Sequence, residues 1–255
     1  TNAERRISRV RKVMAPKNGY EDWEITQMLS NALGYPMNYK HASEIMDEIA
    51  QLTPQFKGVS FDKIDKLGSI QWPCNEDHKE GTPTMHVDEF VRGKGKFFIT
   101  EYIPTSERVN NKFPLILTTG RILAHYNVGA QTRRTNNVEW HDEDLIEIHP
   151  HDAEDRGINE QDWVGINSRA GDTVLRAKIT DRVQPGVVYT TFHHPVSGAN
   201  VITTDNSDWA TNCPEFKVTA VQVTKVTQPS EWQEKYQEFS EKQIKFAKKN
   251  EAQVD

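Results

Sequence analysis

The spacing of hydrophobic positions changes character several times along this chain. Near the start, Ile7, Val10, Val13 and Met14 recur at helical intervals among Arg5, Arg6, Arg9, Arg11 and Lys12, which predicts a basic amphipathic helix broken at Pro16 to Gly19. A second helix is predicted from about Glu21, with Trp23, Ile25, Met28, Leu29 and Ala32 on one side and Gly34 and Pro36 as its stop. A third starts near Ser43 as N-cap and buries Ile45, Ile49 and Leu52 before Pro54. Three short helices over residues 1–55 make a poor domain alone, so they read as the helical end of a preceding domain. Across 56–112 the periodicity fades among Gly58, Gly68, Pro73, Gly81, Pro83, Gly93, Gly95 and Pro104. That composition predicts a long connecting segment, with one strand from Gly95 to Tyr102.

Residues 113–226 change to short apolar runs separated by turn signals. Strands are predicted at Pro114–Thr119, Leu145–His149, Trp163–Ser168, Thr173–Ile179, Val187–Thr191 and Phe216–Val226, with turns at Pro150, Gly157, Ala170-Gly171-Asp172 and Pro185-Gly186. Strands of this length and spacing point to a barrel or sandwich, and a helical turn ending at Gly157 makes it a barrel with small helical inserts. Beyond Thr227 the helical period returns. Ser230 and Gln233 form a capping box, and Trp232, Tyr236, Phe239 and Phe246 line one side of an otherwise charged helix within 227–255. A lone helix cannot bury four aromatic rings, so this one is expected to dock on the body or on another subunit.

Composition narrows the function classes. A net charge of −6 leaves no basic face for nucleic acid, and no run approaches the roughly 20 apolar residues of a membrane span. The mean hydropathy of −0.73 suits a piece that buries surface against something else. Two distant cysteines, Cys74 and Cys213, give no disulfide framework and fit a cytoplasmic setting. Nor can two cysteines hold an iron–sulfur cluster by the usual four. The chain opens at Thr1 without an apolar signal core, which suggests a fragment or a processed chain.

Candidate chemistry concentrates in Phe113 to Asn137. The strand Leu115 to Thr119 stops at Gly120, where the backbone can turn and a ligand can approach main-chain amides. Arg121, His125, Asn127, Gln131, Thr132, Arg133 and Arg134 follow, with no acid until Glu139, a donor set suited to phosphates. A plain polar surface loop has the same composition. A second polar cluster follows the fifth predicted barrel strand: Phe192, His193 and His194, then Asn200, Thr203, Thr204, Asp205, Asn206 and Asp208. Metal readings are weak. Cys74, His78 and His86 lack close ligand spacing, the His149-Pro150-His151 triplet holds a proline, and adjacent histidines on an extended chain face opposite ways.

The blocks Thr118-Thr119-Gly120-Arg121, His125-Tyr126-Asn127, Gln131-Thr132-Arg133, Ile148 to Ile158, and Trp163 through Pro185-Gly186 resemble, in that order, the molybdopterin dinucleotide-binding domain of the dimethyl-sulfoxide-reductase class of molybdenum and tungsten enzymes. Asn31 to Met37, Gly68 to Cys74 and Ser207 to Glu215 extend the likeness to the catalytic alpha subunit of cytoplasmic, NAD-linked formate dehydrogenase. The resemblance implies a mixed α/β chain. Its double-psi β-barrel would be preceded by the helical end of an α/β domain and followed by a C-terminal helix.

It also implies bis(molybdopterin guanine dinucleotide) with molybdenum or tungsten as the cofactor. Thr119, Gly120 and Arg121 would meet it after the first barrel strand, with His125, Asn127, Gln131 and Thr132 on the same side. Phe192, His193 and His194 would form a second wall, Asn200 and Asn206 would add amide contacts, and Phe216 and Lys217 would close the site. No catalytic residue and no protein ligand to a metal is expected within this chain. Those, with the iron–sulfur cysteines, would lie in an upstream part of the subunit or in iron–sulfur and flavin partners that pass electrons from formate to NAD. Another molybdopterin reductase, such as one for nitrate, a non-catalytic molybdopterin-binding module, and a metallohydrolase are the alternatives.

Overall fold

The computed structural model describes residues 1–13, 15–16, 18–90 and 92–251. They form two compact units, Thr1–Thr100 and the described residues of Glu101–Asp255.

In the first unit, strands β1 (Arg6–Ile7) and β2 (Ile70–Gln71) pair antiparallel, beside helices α1 (Asp22–Ala32), α2 (Ala42–Leu52) and α3 (Phe61–Leu67). Ile7, Val59, Ile64, Ile70 and Cys74 make its small core, with Met46, Phe56 and Trp72 packed against them. The basic N-terminal helix does not form. Arg6 and Ile7 form β1 instead, Val10 and Val13 are 98% and 90% exposed, and Met14 lies outside the described residues. Helical spacing without a surface to pack on carries little free energy. The second helix stands as α1, closed at its start by a capping box between Glu21 and Glu24. The N-cap of α2 is His41, whose ring accepts from the Ser43 N–H, and not Ser43 itself. Helix α3 was hidden in a stretch that reads as irregular: Ser60 caps it and Gly68, at φ +78°, ends it. The strand expected from Gly95 to Tyr102 is absent. Phe97 and Ile99 are fully exposed, and no strand pairs with them.

The second unit is a closed six-stranded barrel. Its strands are β3 (Leu115–Gly120), β4 (Leu145–Ile148), β5 (Trp163–Asn167), β6 (Asp172–Ile179), β7 (Val187–Thr191) and β8 (Thr219–Lys225), ordered β3-β7-β4-β6-β5-β8 and closing back on β3. The pairs β3–β7 and β4–β6 run parallel and the other four antiparallel. Alternate residues point inward, as in Leu115, Leu117 and Thr119. Leu117, Ile146, Ile148, Val164, Ile166, Ala177, Val188, Val221 and Val223 fill the interior, all fully buried. This is the double-psi β-barrel in a mixed α/β chain.

Two helical inserts, α4 (Pro150–Glu154) and α5 (Ala199–Ile202), follow β4 and β7. Gly157, at φ +61°, closes the turn after α4, where the Ile158 N–H donates back to the Ala153 carbonyl at 2.9 Å. The last helix, α6 (Glu231–Glu251), starts on the expected capping box: the Ser230 N–H donates to Gln233 Oε1 at 3.0 Å and the Gln233 N–H to Ser230 Oγ at 3.3 Å. Its first two turns dock on the barrel. Gln233 is buried, with Nε2 donating to the carbonyls of Val174 and Val196, and Trp232 stacks on Tyr236 at 5.5 Å. Phe239 is exposed, and the Phe246 side chain lies outside those described. No helix among the described residues is long and apolar enough to cross a membrane.

Candidate functional site

Strand β3 delivers Thr119 and Gly120 to one end of the barrel. A Cβ at Gly120 would lie 2.5 Å from Tyr189 Oη and 2.6 Å from its Cε2, so any side chain there must displace that ring. Thr119 Oγ donates to the Phe216 carbonyl at 2.9 Å and Lys217 Nζ donates to the Thr119 carbonyl, which ties the segment before β8 to the end of β3. Arg121 is exposed and its guanidinium lies 5.1 Å over the ring of Phe192, just past β7. Thr119, Gly120, Arg121, Phe192, Phe216 and Lys217 are thus gathered at one barrel end.

Beneath the Arg121 loop is a set of buried imidazoles. His193, fully buried, accepts from the Ile122 N–H at Nε2 (3.1 Å) and donates from Nδ1 to the Asn127 carbonyl. Asn127 holds φ at +47° to present that carbonyl. His125, also buried, donates from Nε2 to the His141 carbonyl at 2.6 Å, and its Nδ1 accepts from the Thr132 hydroxyl at 3.0 Å. Both rings are committed at both nitrogens, and they fix the loop from below. His194, 7% exposed, packs edge-on against His125 at 5.2 Å and lies 5.5 Å from the ring of His141.

At the centre sits Asp144, 3% exposed and immediately before β4. It accepts from the Thr191 hydroxyl, from the His193 N–H at 3.1 Å and from the His194 N–H at 2.8 Å. Burial works to raise this carboxyl, but the hydrogen bonds from His194 and Thr191 outweigh it and hold Asp144 well below the usual carboxylate range. Burial pushes His141 down, against the pull of Asp144, and keeps its ring neutral. Asp144 and His141 went unremarked in the sequence because His141-Asp142-Glu143-Asp144 looks like an exposed acidic turn. The one available signal was Asp144 standing directly before an apolar strand.

The remaining expected residues are more scattered. Gln131 is exposed before the short 3-10 turn Thr132–Arg134. Asn200 is exposed on α5, and Asn206 lines a cavity of about 520 Å³ with Ser106, Glu107, Arg169 and Thr204. Among the described residues, no side-chain hydrogen bond or ion pair joins these three to the Thr119–Lys217 group. His149 caps α4, with its ring accepting from the His151 N–H, and His151 points instead to Asp155 at 3.5 Å. Cys74 is buried, its Sγ 3.5 Å from Lys63 Nζ and from the Lys79 carbonyl.

The chemistry of the barrel end suits an elongated anionic ligand. Arg121, Arg133 and Arg134 have no carboxylate partner among the described residues, and the buried Nε of Arg133 has no hydrogen bond. Cations left unpaired beside exposed rings and amides match a ligand carrying phosphates and flat heterocycles.

Comparison with known proteins agrees. Residues 115–220 match the family model of the molydopterin dinucleotide binding domain. The F420-dependent formate dehydrogenase subunit alpha of Methanocaldococcus jannaschii is 39% identical over 232 residues, which cover 89% of this chain and 34% of that protein. The F420-dependent formate dehydrogenase 2 subunit alpha of Methanococcus maripaludis is likewise 39% identical over 232 residues, with the same coverage of each. The chain thus spans about a third of the length of these curated relatives. Among solved structures, acetylene hydratase from Pelobacter acetylenicus superposes with a TM-score of 0.54 at 13% identity, over 82% of this chain and 33% of that one, a likeness of fold. The chain is thus similar to about a third of the length of formate dehydrogenase alpha subunits, and its barrel is the segment matched as molybdopterin dinucleotide-binding. Both relatives are named for F420, so the NAD-linked type expected from the sequence finds no support in their names.

Proposed function

We propose that this chain is the cofactor-binding portion of a formate dehydrogenase catalytic subunit, holding bis(molybdopterin guanine dinucleotide) across the open end of its barrel. The observation that carries the reading is the unpaired cationic end of the barrel inside a segment matched as molybdopterin dinucleotide-binding. Arg121 would meet phosphate by charge-assisted hydrogen bonds, with its guanidinium held in place by Phe192. Gly120 and Lys217 would border the same groove, and Asn127, Gln131, Thr132, Asn200 and Asn206 would supply neutral contacts along it. His125, His193 and His194 would act from beneath, as supports of the loop. The bound group would supply the redox chemistry, with molybdenum or tungsten as its metal.

In this reading formate is oxidised to carbon dioxide in the longer subunit, which operates in the cytoplasm. The electrons leave through iron–sulfur clusters to partner subunits that reduce NAD. A second reading replaces NAD with F420, favoured by the names of the two relatives. The test is Arg121→Ala in the intact subunit, assayed by molybdenum and tungsten content and by guanine nucleotide released on acid treatment. The variant is expected to retain less of both than the parent. An intact subunit that contains neither metal nor guanine nucleotide would overturn the reading, and unchanged retention in the variant would remove Arg121 from it.

A further inference from the structure

The cluster under the Arg121 loop contains a group that the loop-support role leaves unexplained. The buried ring of His194 faces Asp144 through Nδ1, 3.3 Å from Oδ1, while its Nε2 has no hydrogen bond. A neutral imidazole needs one acceptor for its N–H and one donor for its lone pair, so leaving a ring nitrogen without a partner inside a protein is costly. The neighbours that could satisfy it are already committed. His125 and His193 use both of their ring nitrogens elsewhere.

We propose that His141, Asp144 and His194 form a binding site for a single divalent transition-metal ion of the zinc class. Each offers one ligand atom, and the three atoms lie within 4.8 Å of one another. His194 Nδ1 is 3.3 Å from Asp144 Oδ1, and His141 Nε2 is 3.6 Å from the same oxygen. Tetrahedral zinc with bonds of about 2.0–2.2 Å places its ligand atoms roughly 3.3–3.6 Å apart. Two imidazoles and one carboxylate suit zinc and its first-row neighbours, and not calcium or magnesium.

The barrel sets the spacing. Strands β4 and β7 are antiparallel neighbours with Ile146 opposite Thr190, so Asp144, before β4, and His194, after β7, emerge at the same edge. His141 sits three residues before Asp144 and closes the third side. The Thr191 hydroxyl and the His193 N–H orient the Asp144 carboxylate. His141 also lines a cavity of about 120 Å³ with Ile122, Glu147, Lys178, Arg182, Tyr189 and Thr191. This ion site is tested without the cofactor.

The test uses the purified chain carrying Cys213→Ser, which removes the exposed thiol as a competing ligand. Chelator-stripped protein is titrated with cobalt(II), followed by its visible ligand-field bands, and back-titrated with zinc(II). The expected result is saturation at one ion per chain and displacement by zinc. Asp144→Asn and His141→Asn should each weaken cobalt binding by at least about tenfold, the lower end of what loss of even an outer-shell partner costs. His141 is the partly exposed member, so His141→Asn keeps the test decisive if Asp144→Asn fails to fold, and circular dichroism confirms which variants are folded. Absence of saturable binding, unchanged affinity in folded His141→Asn, or binding lost only when His149 and His151 are replaced would each overturn the proposal. In that case His194 and Asp144 are simply a hydrogen-bonded pair.

Discussion

Replacing Asp144 with asparagine tests the central claim about how the barrel end is built. The carboxylate accepts from the Thr191 hydroxyl and the His193 N–H through Oδ1, and from the His194 N–H through Oδ2. An amide can serve only one side. If its oxygen faces Thr191 and His193, its NH₂ meets the His194 N–H, two buried donors pointed at each other. Loss of a hydrogen bond to a charged acceptor, together with a donor left buried and unpaired, is worth about 2–5 kcal/mol. Native-state hydrogen exchange at the β4 and β7 amides is the suitable assay, because it reports opening of the barrel separately from the N-terminal unit. Measured with chelator at pH 7, exchange should rise at least about 30-fold, since ~1.4 kcal/mol is a factor of ten.

The pH dependence has a definite sign. The folded-state pKa of Asp144 is depressed, so its contribution is present above the unfolded value of about 3.9 and is lost as pH falls through the folded value. The gap between parent and variant should therefore narrow only below about pH 4. A rise in exchange of less than about threefold at pH 7, or a gap that closes near neutrality, would refute the reasoning.

Two further outcomes follow from packing. Gly120→Ala should lower barrel stability by about 1–3 kcal/mol through its clash with Tyr189. In a Tyr189→Ala background the same change should cost less than about 0.5 kcal/mol, and equal costs in urea melts of both backgrounds would deny the contact. Gln233→Ala removes the bonds to Val174 and Val196 and half of the capping box, worth about 1–3 kcal/mol locally, and should expose the start of α6 to limited proteolysis before the barrel is cut.

The barrel strands could be read from the chain because their alternation and turns agree locally with where they end up: Leu115 and Leu117 point inward, and Gly186, at φ +84°, turns the chain into β7. The N-terminal segment misled for the opposite reason. Ile7, Val10 and Val13 keep helical intervals, but only Ile7 finds a core, and it does so in a strand. Helix α3 is seven residues long, too short for its Phe61, Ile64 and Leu67 to register as a period between Gly58 and Gly68. The cationic and amide residues of the site were visible by type. Asp144 was not, because its burial comes from β4 lying beside β7, more than forty residues later in the chain, and no local pattern carries that information.

Closure of the barrel also has a consequence for synthesis. β8 is the last strand to emerge and it seals both β3 and β5. Until Lys225 is free, a nascent chain holds two raw strand edges about fifty residues apart in sequence, each able to recruit a stranger. A ribosome that stalls or terminates within the stretch before Thr219 would therefore release a sticky intermediate and not a slightly shortened protein. The risk of aggregation is concentrated in one brief window, and it ends when seven residues zip into place.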